Sequence, residues 1–147
     1  MTIIRITKEF KFEMAHALLG YDGPCKNIHG HSYKLSVTVK GKIKQGTLDS
    51  DEGMVVDFGI VKKIVDDLIV SKYDHSLALN EKMKIDEAQF EFMNKLILLP
   101  FQPTCENLLE YYAELIKQQL PENIALHSLF LRETPSSYAE WYADDNP

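Results

Sequence analysis

His29-Gly30-His31-Ser32-Tyr33-Lys34-Leu35-Ser36-Val37-Thr38-Val39 alternates between two kinds of side chain, and that alternation governs how the rest of the chain reads. Successive side chains of a strand point to opposite faces, so residues two apart share one. Tyr33, Leu35, Val37 and Val39 then form an apolar stripe, with His29 and His31 on the same side just ahead of it. An earlier segment has the same build: Phe10, Phe12, Met14 and His16 fall on one side, Lys11 and Glu13 on the other. Paired as neighbours, the two strands would bring three imidazoles to one end of an apolar face.

Three such nitrogens suit a metal site with its fourth position open. Catalytic zinc commonly takes three protein ligands and keeps one position for water or substrate, with Zn–N distances of about 2.0–2.1 Å. Neutral imidazole also suits copper, iron and nickel, so the residue types alone leave the metal undecided among these. Taken singly, His-Gly-His is also a turn and His16 a surface residue. The shared parity of three of the five histidines is what points to a site. Gly30 between two of them would let the backbone pass close to an ion or ligand.

The chain of 147 residues fits one domain, 1–147, with enough core to stand alone. Its 45% hydrophobic and 26% charged residues are ordinary for a globular protein. No secretory apolar region opens it and no long apolar run follows, which leads us to expect a cytoplasmic protein with no membrane partner. Cys25 and Cys105 are too few for a disulfide framework and are expected as free thiols. A net charge of −6 without a basic stripe argues against a nucleic-acid partner. An anionic substrate would need local cations, for which Lys26 and Lys34 are candidates.

Residues 3–16 and 31–43 read as strands, and 45–53 as a polar loop. Asp57 then stands as an N-cap before a helix whose stripe is Ile60, Val61, Ile64, Val65, Leu68 and Ile69. Residues 86–94 suggest a short helix, and 96–99 a short extended run ending at Pro100. Pro103-Thr104 opens a second long helix that buries Leu108, Leu109, Tyr112, Leu115 and Ile116, and Pro121 closes it. Residues 124–133 alternate as a strand with His127, Leu129, Leu131 and Glu133 on one face, and 137–143 make a last one. The expected order is ββααββ, an α+β layer of four antiparallel strands with two helices on one face.

Separated short motifs in this order resemble the 6-pyruvoyl-tetrahydropterin synthase family, and within it the 6-carboxy-tetrahydropterin synthase branch. They are Phe12-Glu13-Met14-Ala15-His16, Cys25 through His31, Val56-Asp57-Phe58-Gly59, Tyr73-Asp74-His75, Pro103-Thr104-Cys105-Glu106-Asn107 and Arg132-Glu133-Thr134-Pro135-Ser136-Ser137, which together span nearly the whole chain. The three residues between Cys25 and His29 favour the 6-carboxy branch, because the pyruvoyl branch usually has a longer gap. Met14 stands where the family usually has a small residue, and Cys105 replaces the usual hydroxyl or small residue. The resemblance implies a tunnelling fold (T-fold) whose sheets join into a barrel on oligomerisation, as a homohexamer of two stacked trimers.

It also implies roles, each of which has a physical case beside it. The family's Cys-Asp-His triad maps onto Cys25, Asp74 and His75, with Cys25 from one subunit and the pair from its neighbour. A thiol near a cation has more thiolate at neutral pH and can act as a general base; the plainer alternative for Cys25 is an inert small hydrophobe. A carboxylate beside an imidazole can orient it for proton transfer, whereas the plainer reading of Asp74-His75 is a helix-ending turn. Glu133 would accept two hydrogen bonds from the amino-pyrimidine edge of a pterin. Thr104 and Cys105 would offer backbone N–H groups to the same ring. Glu106 reads as favourable charge in a first helical turn, and His127 as a core or surface histidine. His16, His29 and His31 would hold Zn2+. The implied reaction converts 7,8-dihydroneopterin triphosphate to 6-carboxy-5,6,7,8-tetrahydropterin with loss of acetaldehyde and triphosphate, as in queuosine (deazapurine) biosynthesis. The alternatives are the pyruvoyl synthase, which eliminates phosphate without losing carbon, and a catalytically silent zinc- and pterin-binding module.

Overall fold

The structure, a computed structural model, describes residues 2–147. The two alternating segments form β1 (Ile3–His16) and β2 (His29–Lys42), antiparallel along their full lengths, from Ile3 opposite Lys42 to His16 opposite His29. The second strand starts two residues earlier than its apolar stripe suggested, so both of its histidines lie on regular strand. Phe10, Phe12, Met14, Tyr33, Leu35, Val37 and Val39 are all buried on one face.

Six strands make the sheet, in the order β4-β3-β1-β2-β5-β6, which corrects the expected four. The added strands are β3 (Ser76–Asn80) and β4 (Leu96–Leu99), and both pairings are parallel, β3 to β1 and β4 to β3. All five residues of β3 are buried. A strand covered on both faces carries no in–out alternation, so its sequence lacks the period that revealed the others. β5 (Ala125–Thr134) and β6 (Ser137–Tyr142) complete the other side in antiparallel pairing. The order along the chain is therefore ββαββαββ, with the α+β class unchanged.

Two helices cover the buried face. The carboxylate of Asp57 accepts from the N–H of Gly59 at 2.7 Å and opens α1 (Phe58–Val65). The helix runs on through a wider π-type turn (Asp66–Val70) into one last turn, α2 (Ser71–Tyr73). Val61, Val65, Ile69 and Tyr73 face the core at four-residue intervals. An ideal helix would rotate such a series by about 40° per step, and the wider turn takes up part of that drift. Ile60, expected within the stripe, is 44% exposed. The hydroxyl of Thr104 accepts from the N–H of Asn107 at 3.2 Å and caps α3 (Cys105–Lys117), which buries Leu108, Leu109, Tyr112 and Ile116. No helix among the described residues is long and apolar enough to cross a membrane.

Two further expectations need correction. Residues 86–94 hold only one tight turn, Glu87–Phe90, capped by the Asp86 carboxylate. His127 does not share the core face of Leu129 and Leu131. The β2–β5 register slips so that Thr38 faces Ser128 while Val39 faces Leu126, and Leu126 takes the inward position. A bulge of one residue reverses the parity beyond it, and the His127 ring lies edge-on to Tyr142 instead.

Leu35, fully buried, lies opposite Phe10 on one side and Leu131 on the other. Leu35→Ala is expected to cost about 2–5 kcal/mol of folding stability, read from urea unfolding curves. An unchanged midpoint would contradict the packing described.

Candidate active site

Pairing of His16 with His29, and of Met14 with His31, sets three imidazoles at the end of the β1–β2 ladder. Ring centroids lie 4.6, 5.1 and 4.9 Å apart, and one nitrogen from each ring falls within 4.8 Å of the other two. His16 is 2% exposed, and its Nδ1 bonds the carbonyl oxygen of Pro103 at 2.7 Å. His29 Nδ1 bonds the carbonyl of Asn27 at 2.7 Å. A carbonyl oxygen only accepts, so both Nδ1 atoms carry a proton and both rings turn Nε2 toward the cluster. Those two Nε2 atoms stand 3.0 Å apart. Two lone pairs at that distance repel unless a cation, a proton or a metal ion, is shared between them. The backbone carbonyls orient the rings as carbonyl partners commonly do for metal-bound histidine. The donor set thus fits a metal ion held by His16, His29 and His31.

Glu133, at the end of β5, reaches into this cluster. Its Oε1 is 3.2 Å from His16 Nε2 and 3.2 Å from His31 Nε2, and it accepts from the Tyr33 hydroxyl at 3.3 Å. The hydrogen bond from His16 holds its carboxyl below the usual carboxylate range, helped by His31 and Tyr33 and opposed by burial. An imidazole nitrogen that donates to this carboxylate must carry a proton, and one that binds a metal must not. A metal ion at these nitrogens would therefore remove their hydrogen bonds to the carboxylate. Burial pushes His31 below the ordinary imidazole value; His16 and His29 push the same way, and Glu133 opposes. Burial, with Glu133 adding to it, also keeps the Tyr33 hydroxyl well above the ordinary phenol value, so it remains a donor.

Cys25 sits half-buried in a single turn, Pro24–Lys26, on the segment entering β2. Its carbonyl accepts from the N–H of Leu18 at 2.9 Å, which ties that turn to the chain two residues beyond His16. Cys105 is different. Its Sγ donates to the carbonyl of Leu131 at 3.3 Å, and burial, with Glu133 and Glu106 adding to it, pushes the thiol up to about 12. Thiolate chemistry is closed to it. The Thr104 hydroxyl is engaged as the helix cap. Lys34 pairs with Glu9 at 3.1 Å on the strand face away from the imidazoles. Gly30 is not required by a close approach within the chain, because a Cβ there would meet Met14 O at 3.6 Å, an ordinary contact.

Asp74 and His75 form a turn between α2 and β3. Adjacent residues on an ideal strand point apart, but His75 is left-handed (φ 60°), and its Nδ1 lies 3.0 Å from Asp74 Oδ2. The other carboxylate oxygen accepts from the N–H of Glu13 at 2.8 Å. That backbone bond is the main cause holding the Asp74 carboxyl below its usual range, with His75 and Lys95 contributing and burial opposing. The His75 ring is 77% exposed. Among the described residues no hydrogen bond or ion pair joins this pair to the imidazole cluster. His75 and His31 nevertheless border one open cleft of about 420 Å³, together with Glu13, Ser32 and Met93.

Sequence reasoning missed the Pro103 carbonyl that orients His16 and the Tyr33 hydroxyl that holds Glu133. For Tyr33 a signal existed, since it shares the parity of His31 on the same strand.

The sequence profile of the family described as 6-pyruvoyl tetrahydropterin synthase matches residues 5–144. A relative from Haemophilus influenzae, named 6-carboxy-5,6,7,8-tetrahydropterin synthase, is 34% identical over 95% of this chain and 99% of its own. One of the same name from Synechocystis is 32% identical over 94% of this chain and 92% of its own. Among solved structures, a 6-pyruvoyl tetrahydropterin synthase from Caenorhabditis elegans superposes with a TM-score of 0.68 at 25% identity, covering 97% of this chain and 96% of that one. One of that name from Plasmodium vivax, at 18% identity, shares the fold with a TM-score of 0.73 over 96% of this chain and 98% of its own.

Proposed function

The chain belongs to the 6-pyruvoyl tetrahydropterin synthase family, and we propose that within it this protein is a 6-carboxy-5,6,7,8-tetrahydropterin synthase. The substrates are 7,8-dihydroneopterin triphosphate and one water, and the products are 6-carboxy-5,6,7,8-tetrahydropterin, acetaldehyde and triphosphate. The convergence of His16, His29, His31 and Glu133 on one end of the sheet is the observation that carries the reading.

His16, His29 and His31 hold the metal, which we take to be Zn2+. When bound, it polarises C–O groups on the substrate's side chain as a Lewis acid and makes the adjacent C–H more acidic. Glu133, freed from the imidazoles and still held by Tyr33, accepts two hydrogen bonds from the amino-pyrimidine edge and so fixes the ring. The backbone N–H of Cys105, in the first turn of α3, donates to the same ring, and that of Thr104 joins it on leaving the Gln102 carbonyl, to which it donates at 2.8 Å. Cys25 takes a proton from the side-chain carbon as general base, and His75, oriented by Asp74, passes protons to and from the side-chain oxygens. Breaking one carbon–carbon bond of the side chain then releases acetaldehyde.

The exposed His75 ring suits a pair that completes a neighbour's site. β4 and β6 end the sheet with unpaired edges, and proteins avoid leaving such edges open. We therefore assign a homohexamer of stacked trimers whose sheets join into a barrel. The test is to incubate the purified protein with 7,8-dihydroneopterin triphosphate and assay acetaldehyde with an alcohol dehydrogenase. Acetaldehyde stoichiometric with triphosphate is expected. Triphosphate release without acetaldehyde would point to the pyruvoyl synthase instead, and no turnover in metal-replete protein would point to a silent binder.

A further inference from the structure

We propose that Lys95 is a positioning residue for the Asp74–His75 pair, locking the peptide unit between them so that the imidazole is presented in one orientation. The proposal rests on the acid–base reading of that pair. A residue with a Cβ rarely adopts a left-handed backbone, and such a conformation persists only where its surroundings hold it. Here the Asp74–His75 peptide is clamped at both ends. Its N–H donates to the carbonyl of Glu13 at 2.6 Å, and its oxygen accepts from Lys95 Nζ at 2.7 Å. The same ammonium donates to the carbonyl of Ser71 at 2.8 Å, among the helix-end carbonyls that lack an intrahelical partner and favour a cation.

Lys95 is itself anchored, because its carbonyl accepts from the N–H of Leu77 at 2.9 Å where β4 begins to pair with β3. This gives β4 a task beyond extending the sheet. It returns the chain from the 81–94 excursion so that one ammonium reaches under the turn. Glu13 closes the frame from β1, three residues before the metal ligand His16. The orientation of His75 is thereby referenced to β1 at the centre of the sheet, from which the pair is presented to the neighbouring subunit.

The experiment compares Lys95→Met, Lys95→Arg, His75→Ala and the Lys95→Met/His75→Ala double variant in steady-state turnover. A misplacement of about 1 Å costs up to ~100-fold. Lys95→Met is expected to lower kcat by about 10- to 100-fold with KM within about twofold, and Lys95→Arg to recover most of the loss. The double variant should be no slower than His75→Ala alone, because a positioning residue has nothing left to position. A wild-type kcat in Lys95→Met, or losses that multiply in the double variant, would overturn the proposal while leaving the acid–base reading intact. A wild-type kcat in His75→Ala would instead overturn that reading, and the positioning role with it. Should Lys95→Met fail to fold, Lys95→Gln, which keeps a donor but removes the charge, supplies the same comparison.

Discussion

His31→Ala is expected to leave the protein folded, without stoichiometric metal and without turnover. The ring is only half-buried at the end of a strand, where Leu35, Val37 and Val39 further along supply the packing. Its removal takes one of three donor nitrogens and leaves two rings whose Nε2 atoms face each other at 3.0 Å. Even partners that merely orient a metal-bound histidine are worth about 10–100-fold in metal affinity, so loss of a ligand should exceed about 100-fold. Dialysis against buffer followed by elemental analysis reads this directly, with circular dichroism as the fold control. A variant that kept one metal ion per chain would refute the assignment of the site. Wild-type protein stripped with a chelator should likewise lose turnover and regain it on addition of Zn2+.

Cys25→Ala is expected to separate chemistry from metal binding. General-base catalysis contributes about 10²–10⁴-fold, so kcat should fall within that range while metal content stays at the wild-type level. The turn that carries Cys25 is held by the Leu18–Cys25 backbone bond and not by the thiol. The substitution should therefore leave the loop in place. Wild-type turnover in Cys25→Ala would remove the thiol from the mechanism and return it to the role of a small hydrophobe. Cys105→Ala serves as the contrast, since that thiol is spent on the Leu131 carbonyl and raised far above neutrality. Any effect of this second substitution should be on stability.

Much of this was legible in the residues. Alternation over Phe10–His16 and His29–Val39 placed seven side chains and three imidazoles on a common face, because strand geometry leaves a side chain only two directions. Asp57 and Thr104 announced their helices through the capping chemistry that both perform. β3 was not legible, since burial on both faces erases the period that betrays a strand. Nor was the slip at His127, because a single extra residue leaves composition untouched while reversing every parity beyond it.

At the site the division runs along the same line. Which residue types could bind a metal, take a proton or hold a ring follows from their chemistry, and the sequence by itself determined the candidates His16, His29, His31, Cys25, Asp74, His75 and Glu133. Only the tertiary structure decided that Glu133 reaches the imidazoles themselves, that Pro103 and Asn27 set their tautomers, and that Lys95 clamps the turn of His75. The physical reason is reach. Periodicity orders neighbours along a strand, whereas a hydrogen bond spanning 87 positions, as between His16 and Pro103, exists only once the chain has folded.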